Sequence, residues 1–152
     1  MSKILFLDID GVCNSAEYAE RRFKETGKGG LLGIDPTLAA RVRKIVKATN
    51  CDVVLSSTWR LYDKARHDVR RDVIGFIDVT PNLQAGEKNG IVKRGVEVQD
   101  WLDRHPDVEV YAILDDDSDF LEDQWLFKTT FKQGLTEQIA ANVIAHLNSI
   151  DE

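Results

Sequence analysis

The chain has 152 residues, 43% of them hydrophobic and 30% charged, with a formal net charge of −6. Those proportions exclude a disordered or fibrous chain, and no apolar stretch reaches the ~20 residues of a membrane span. The acidic balance argues against a general duplex-DNA binder, so an anionic ligand has to be met by local positive charge and a metal. The length fits one domain over residues 1–152 with a substantial core. The opening MSKILFLDIDG is interrupted by Asp8 and Asp10 and shows no small-residue cleavage site, so a cytoplasmic protein is expected.

Ile4 to Leu7 form a continuous apolar run that ends on Asp8, the pattern of a strand buried on both faces. Asp10 and Gly11 follow at once. Two carboxylates at the end of a buried strand are costly unless a cation or a hydrogen-bond network satisfies them. Ala16 to Lys24 predict a short helix, followed by a glycine-rich loop at Gly27, Gly29 and Gly30. Asp35 and Pro36 start a second helix, as N-cap and first helical residue. Leu38, Val42, Ile45 and Val46 face inward in it, and Arg41, Arg43, Lys44 and Lys47 outward.

Asp52 to Leu55 predict a second buried strand, ending at Ser56. A polar helix is expected within Tyr62 to Asp72 and a third strand within Val73 to Val79, closed by Thr80 and Pro81. Residues 82–93 read as a loop. A helix from about Arg94 to Arg104 ends at His105 and Pro106. Val108 to Leu114 form a fourth strand that runs into Asp115, Asp116, Asp117, Ser118 and Asp119. Trp125 to Phe131 predict a shorter fifth strand, and Thr136 caps a final helix with Ile139, Val143, Ile144 and Leu147 as its apolar stripe. Trp59, Trp101 and Trp125 read as packed aromatics, and the three histidines as surface or helix-end residues. Cys13 and Cys51 lack disulfide or metal spacing and read as small buried hydrophobes.

Alternating strands and helices give an α/β class with a mostly parallel sheet and helices on both faces. Ligands in such sheets bind beyond the carboxyl ends of the strands. Asp8, Asp10, Ser56, Asp115 and Asp116 all converge there. Three carboxylates at one edge call for a cation, and an all-oxygen set with room for water suits Mg²⁺. Ser56, with Lys93 or Arg94 nearby, completes a site for a dianionic phosphoryl group. An aspartate can act as nucleophile and form an aspartyl-phosphate. Asp10 can then protonate the leaving oxygen and later activate water. Asp117, Asp119, Glu122 and Asp123 read as a solvated acidic loop.

These motifs resemble the haloacid dehalogenase (HAD) superfamily of phosphatases. Asp8-Ile9-Asp10-Gly11-Val12 matches the first motif of that superfamily, Ser56 the second, Lys93 or Arg94 the third, and Asp115-Asp116 the fourth. The resemblance implies a Rossmannoid three-layer sandwich around a mostly parallel five-stranded sheet. It implies Asp8 as nucleophile and metal ligand, Asp10 as acid/base with its carbonyl on Mg²⁺, and Asp115 as a further ligand. Asp116 would bind directly or through water. The third-motif cation is open between Lys88, Lys93 and Arg94.

A closer similarity is to the small phosphatase domain of RNA-repair proteins and phage-type enzymes, organised like the 3′-phosphatase domain of polynucleotide kinase-phosphatases. VVLSSTWR, RGVEVQDWL, ILDDDSDF and GLT carry it. The two intervals where relatives insert a cap, residues 11–34 and 82–93, are too short for a globular lid. An open site admits a polymer end, at the cost of less water exclusion. Gly11, Ser57 and Arg60 are expected to bind substrate, although Ser57 with Thr58 also suits shaping the turn. Arg21, Arg22 and Lys24 would reach flanking phosphates, and Trp59 would offer a base a stacking face.

The leading expectation is a Mg²⁺-dependent phosphomonoesterase that removes a 3′-phosphate from an RNA or DNA end, with no membrane partner. A nucleotide or small-metabolite phosphatase is the alternative within the superfamily. A receiver-like or inactive phosphate-binding module is the alternative outside it. Receivers carry their phosphoacceptor after the third strand, where Val79-Thr80-Pro81 offers no carboxylate.

Overall fold

The computed structural model describes residues 2–28, 33–86 and 92–151. Gly29, Gly30, Lys88, Asn89 and Gly90 lie outside these residues. Five strands form one sheet: β1 (Lys3–Leu7), β2 (Asp52–Leu55), β3 (Asp78–Val79), β4 (Val110–Asp115) and β5 (Leu126–Lys128). Their order is β3-β2-β1-β4-β5, and every pairing is parallel rather than most of them. Helices α1 (Ala16–Thr26) and α2 (Pro36–Thr49) connect β1 to β2, α3 (Asp63–Asp72) connects β2 to β3, and α4 (Arg94–Asp103) connects β3 to β4. Helix α5 (Glu137–Leu147) follows β5.

Side chains alternate between the faces of a strand, so a run such as Ile4 to Leu7 loads both. Leu5, Leu7, Val53, Leu55 and Leu114 face α2, α3 and α5, where Val42, Ile45, Val69, Val143 and Leu147 receive them. Ile4, Phe6, Val54 and Ile113 face the other way, against Val98 and Trp101 of α4. Fully burying each of these aliphatic or aromatic side chains contributes about 1.5–3 kcal/mol. Two apolar faces and two helix layers give the Rossmannoid sandwich.

The helix ends follow local chemistry. Ser15 caps α1 by accepting from the Tyr18 N–H at 3.1 Å, and Asp35 caps α2 through Thr37 at 2.9 Å. Gly27, at φ 70°, carries α1 past the expected Lys24 and closes it on the Phe23 carbonyl. No helix is long and apolar enough to cross a membrane among the described residues.

The third strand is much shorter than the sequence pattern suggests. Val73 and Phe76 turn into the core, and Arg43 donates to the Val73 carbonyl at 3.0 Å, so only Asp78 and Val79 pair with β2. The fifth strand ends at Lys128, shorter than expected; the Thr129 N–H completes its ladder to the Asp115 carbonyl at 3.0 Å. Trp125 is not a core residue: it is 46% exposed and packs its ring against Tyr111 and His146.

Candidate active site

Strand register builds the site. Leu55 and Leu114 flank Leu7 in adjacent strands. The residues one step on are therefore Asp8, Ser56 and Asp115, side by side at the carboxyl edge. Backbone bonds extend that row, from the Asp8 N–H to the Leu114 carbonyl at 3.0 Å and from the Ser56 N–H to the Leu7 carbonyl at 2.9 Å.

Asp8, Asp115 and Asp116 each offer a carboxylate oxygen within 4.8 Å of the others. Burial, then the charge of Asp115, raises the Asp8 carboxyl well above its ordinary range, against the pull of Arg94. Burial likewise pushes Asp115 up to about 6 and raises Asp116. One Asp115 oxygen accepts from the Asp117 N–H at 2.9 Å, while Oδ2, buried, has no hydrogen-bond partner. The Ser56 hydroxyl is buried and unpartnered as well. An all-oxygen cluster with an orphaned buried oxygen fits a hard divalent cation, and the orphaned hydroxyl beside it fits an anion's oxygen.

Arg94 supplies the positive charge. It opens α4, donates to the Ser56 carbonyl, and sets its Nε 3.8 Å from Asp115 Oδ2. Lys93 is exposed, and Lys88 lies outside the described residues. Geometry therefore favours Arg94 of the three cations.

Asp10 stands apart from the acidic trio. Its Oδ1 accepts from Asn14 at 2.9 Å and its Oδ2 from the Trp59 indole N–H at 3.2 Å. Two donors fix this carboxylate beside the row without burying it fully.

Three expected substrate contacts have their hydrogen-bonding groups engaged within the protein. Arg60 is 4% exposed and points inward. It donates to the carbonyls of Thr80, Ser56, Ser57 and Pro81 and to both oxygens of Glu97 at 3.1 and 3.2 Å. All five guanidinium donors are occupied, so none is left for a phosphate. The Ser57 hydroxyl oxygen accepts from the Trp59 N–H at 3.1 Å and caps the tight turn Thr58–Leu61. Gly11 donates its N–H to Asn14 Oδ1 at 2.9 Å and accepts from the Thr129 hydroxyl at 2.6 Å. Its backbone is thus engaged within the protein. At φ 79° it leaves room for Asp116, whose Oδ2 would sit 2.2 Å from any Cβ there.

The family model of the HAD domain in Swiss Army Knife RNA repair proteins matches residues 4–140. The chain belongs to this family. No curated protein and no solved structure matches it.

Several residues that shape this HAD site had no signal in the sequence. Asp119, read as part of a solvated loop, accepts from the N–H of Arg94 at 3.2 Å through its carboxylate and from Gly95 at 3.0 Å through its carbonyl. A Cβ on Gly95 would lie 2.7 Å from the backbone at Phe120 and Leu121, so only glycine lets α4 start this close. Thr129 and Glu97 act through hydrogen bonds to partners far away in the chain, which no spacing rule reveals, whereas Asn14 acts locally, on Gly11 and Asp10 just before it.

Proposed function

We propose that the chain is a Mg²⁺-dependent phosphomonoesterase working through an aspartyl-phosphate, with the 3′-phosphate end of a polynucleotide as its substrate. The observation that carries the reading is the row of Asp8, Ser56 and Asp115 with Arg94 above it and Asp10 held to one side. Asp8, Asp115 and Asp116 would hold the ion, with the Asp10 carbonyl as a further ligand. Bound Mg²⁺ would offset the charge on the phosphoryl oxygens and keep the carboxylates ionised.

The remaining work falls to side chains. A carboxylate oxygen of Asp8 attacks phosphorus as the bond to the ester oxygen breaks. Asp10 gives its proton to that oxygen, and the alcohol leaves. Asp10 then takes a proton from water, whose oxygen attacks phosphorus and releases phosphate from Asp8. Arg94 and the Ser56 hydroxyl hold the phosphoryl oxygens throughout.

Two observations favour a polymer end. The family is named for RNA repair proteins. Between β1 and α2 the described residues hold one short helix, α1, without a single buried residue, which builds no lid. The test is a substrate panel with Mg²⁺ and with a chelator, comparing 3′-phosphorylated oligonucleotides, nucleotides and sugar phosphates. Chelator-sensitive turnover fastest on the 3′-phosphorylated strand is expected. Equal or faster turnover of the small molecules would identify a metabolite phosphatase instead.

A further inference from the structure

A groove of about 440 Å³ opens beside Asp10, lined by Asp10, Thr58, Trp59, Tyr62, Lys64 and Ala65. Asp68 also borders it, but its carboxylate is paired with Arg71 at 3.2 Å. None of the phosphoryl-holding residues reaches into this groove, so the reaction at Asp8 leaves it unexplained.

The proposed chemistry dictates what lies there. Asp8 attacks phosphorus roughly in line with the bond that breaks. Asp10 must come within hydrogen-bond reach of the departing oxygen to protonate it. The body of the alcohol therefore extends past Asp10, and the wall it meets begins with Trp59, whose indole N–H holds Asp10 at 3.2 Å.

The lining then narrows the alcohol's chemistry. Trp59 is half-buried, packed on the core at its base, and Tyr62 is 65% exposed at the rim. Tyr62 thus leaves most of its ring open to solvent in the same groove as Trp59, and a planar ring stacks well on such aromatic faces. Lys64 is exposed beside them and makes no ion pair among the described residues. Aromatic surface next to one free cation matches a ring carrying a nearby anion.

We propose that this groove is the subsite for the 3′-terminal nucleoside of a polynucleotide strand. Its base stacks on Tyr62 and Trp59, and the phosphate on its 5′ side meets Lys64. The proposal rests on the phosphatase reading above and adds the residues that select a nucleic-acid end.

Two measurements keep the subsite and the phosphatase reading separable. The first compares kcat/KM for a 3′-phosphorylated dinucleotide with that for glycerol 2-phosphate, which has no ring. Tyr62→Ala should lower the ratio of the two about tenfold, chiefly through the KM of the dinucleotide, and Tyr62→Phe should restore it. Lys64→Ala should lower the ratio several-fold at low salt and less at high salt. The second follows tryptophan fluorescence as a dinucleotide with a 5′-phosphate and a free 3′-hydroxyl binds, which needs no turnover. Tyr62→Ala should weaken that binding about tenfold. An unchanged substrate ratio or an unchanged dinucleotide affinity in Tyr62→Ala overturns the subsite while the phosphatase reading stands. Binding that depends on Tyr62, in a protein that hydrolyses no phosphate ester, keeps the subsite and overturns the phosphatase reading.

Discussion

Two groups of charge are buried at the carboxyl edge of the sheet, and they are satisfied very differently. Arg60 and Glu97 are 4% and 5% exposed, carry opposite charges, and spend every guanidinium donor inside the protein. Glu97 also accepts from the Leu83 N–H at 3.0 Å. That pair ties the ends of β2 and β3 to α4. Asp8 and Asp115 are buried to a similar degree, but they carry the same sign, the charge of Asp115 helps burial raise the Asp8 carboxyl, and Asp115 Oδ2 is left without a hydrogen bond. Burial of charge therefore does not mark function by itself. Unused valence does, because a folded chain rarely retains an orphaned buried oxygen unless something else completes it.

The comparison breaks most sharply at Asp8. Asp8→Asn removes the nucleophile and one of three converging charges, so turnover should fall by more than about 10⁴-fold while the fold persists. Activity on any phosphate ester within tenfold of wild type would show that the trio is not the reactive group. The Arg60 pair should respond in the opposite sense. Glu97→Ala leaves a buried guanidinium without its counter-charge, which costs about 3–5 kcal/mol. That corresponds to a Tm roughly 10 °C lower, and removing both charges together with Arg60→Met and Glu97→Leu should not restore it, because the carbonyls of Thr80, Ser56, Ser57 and Pro81 then lose the guanidinium donor. A Tm within 2 °C of wild type in Glu97→Ala would mean that this pair is not a brace.

A smaller effect separates the two roles within the site. Trp59→Phe keeps a ring in place but takes one of two donors from Asp10. Holding an acid in line affects substrates that need a proton to leave. The kcat should fall about tenfold for an alkyl phosphate and stay nearly constant for 4-nitrophenyl phosphate, whose phenolate leaves unaided. Equal losses on both substrates would place Trp59 in structure rather than in positioning the acid.

The contrast also explains what the sequence made legible. Continuous apolar runs that end in Asp8, Ser56 and Asp115 signal buried strands and their functional ends together, since the row follows once the strands lie parallel and in register. The row was therefore readable before any coordinates. Arg60 was misread for the same reason in reverse: an arginine near a phosphate site looks like a ligand, and only the fold brings Glu97, 37 positions later, under its guanidinium. Asp119 looked like solvated charge because its task, holding the first turn of α4, depends on where a helix starts in space. Local pattern reveals which residues share an edge. It does not reveal which charges already have partners.

The finest test of unused valence is thermodynamic. The Asp115 carboxyl stands at about 6 in the folded protein against 3.8 ordinarily, because burial penalises its charged form. Between those values the folded state binds more protons than the unfolded one, so the contribution of Asp115 to stability falls as pH rises from about 4 to about 6. The loss is then complete, about 1–3 kcal/mol. Burial shifts Asp8 and Asp116 in the same direction. Metal-free Asp115→Asn should therefore match wild type near pH 4 and exceed it in Tm at pH 7, since the carboxamide is neutral throughout. Mg²⁺ should reverse the order at pH 7 by stabilising wild type more than the variant, and do little for either near pH 4, where protons compete for the same oxygens. A wild-type protein that is more stable than Asp115→Asn at pH 7 without metal would show that the carboxylate is satisfied within the fold. The distinction between the two buried groups would then disappear, because both would be structural.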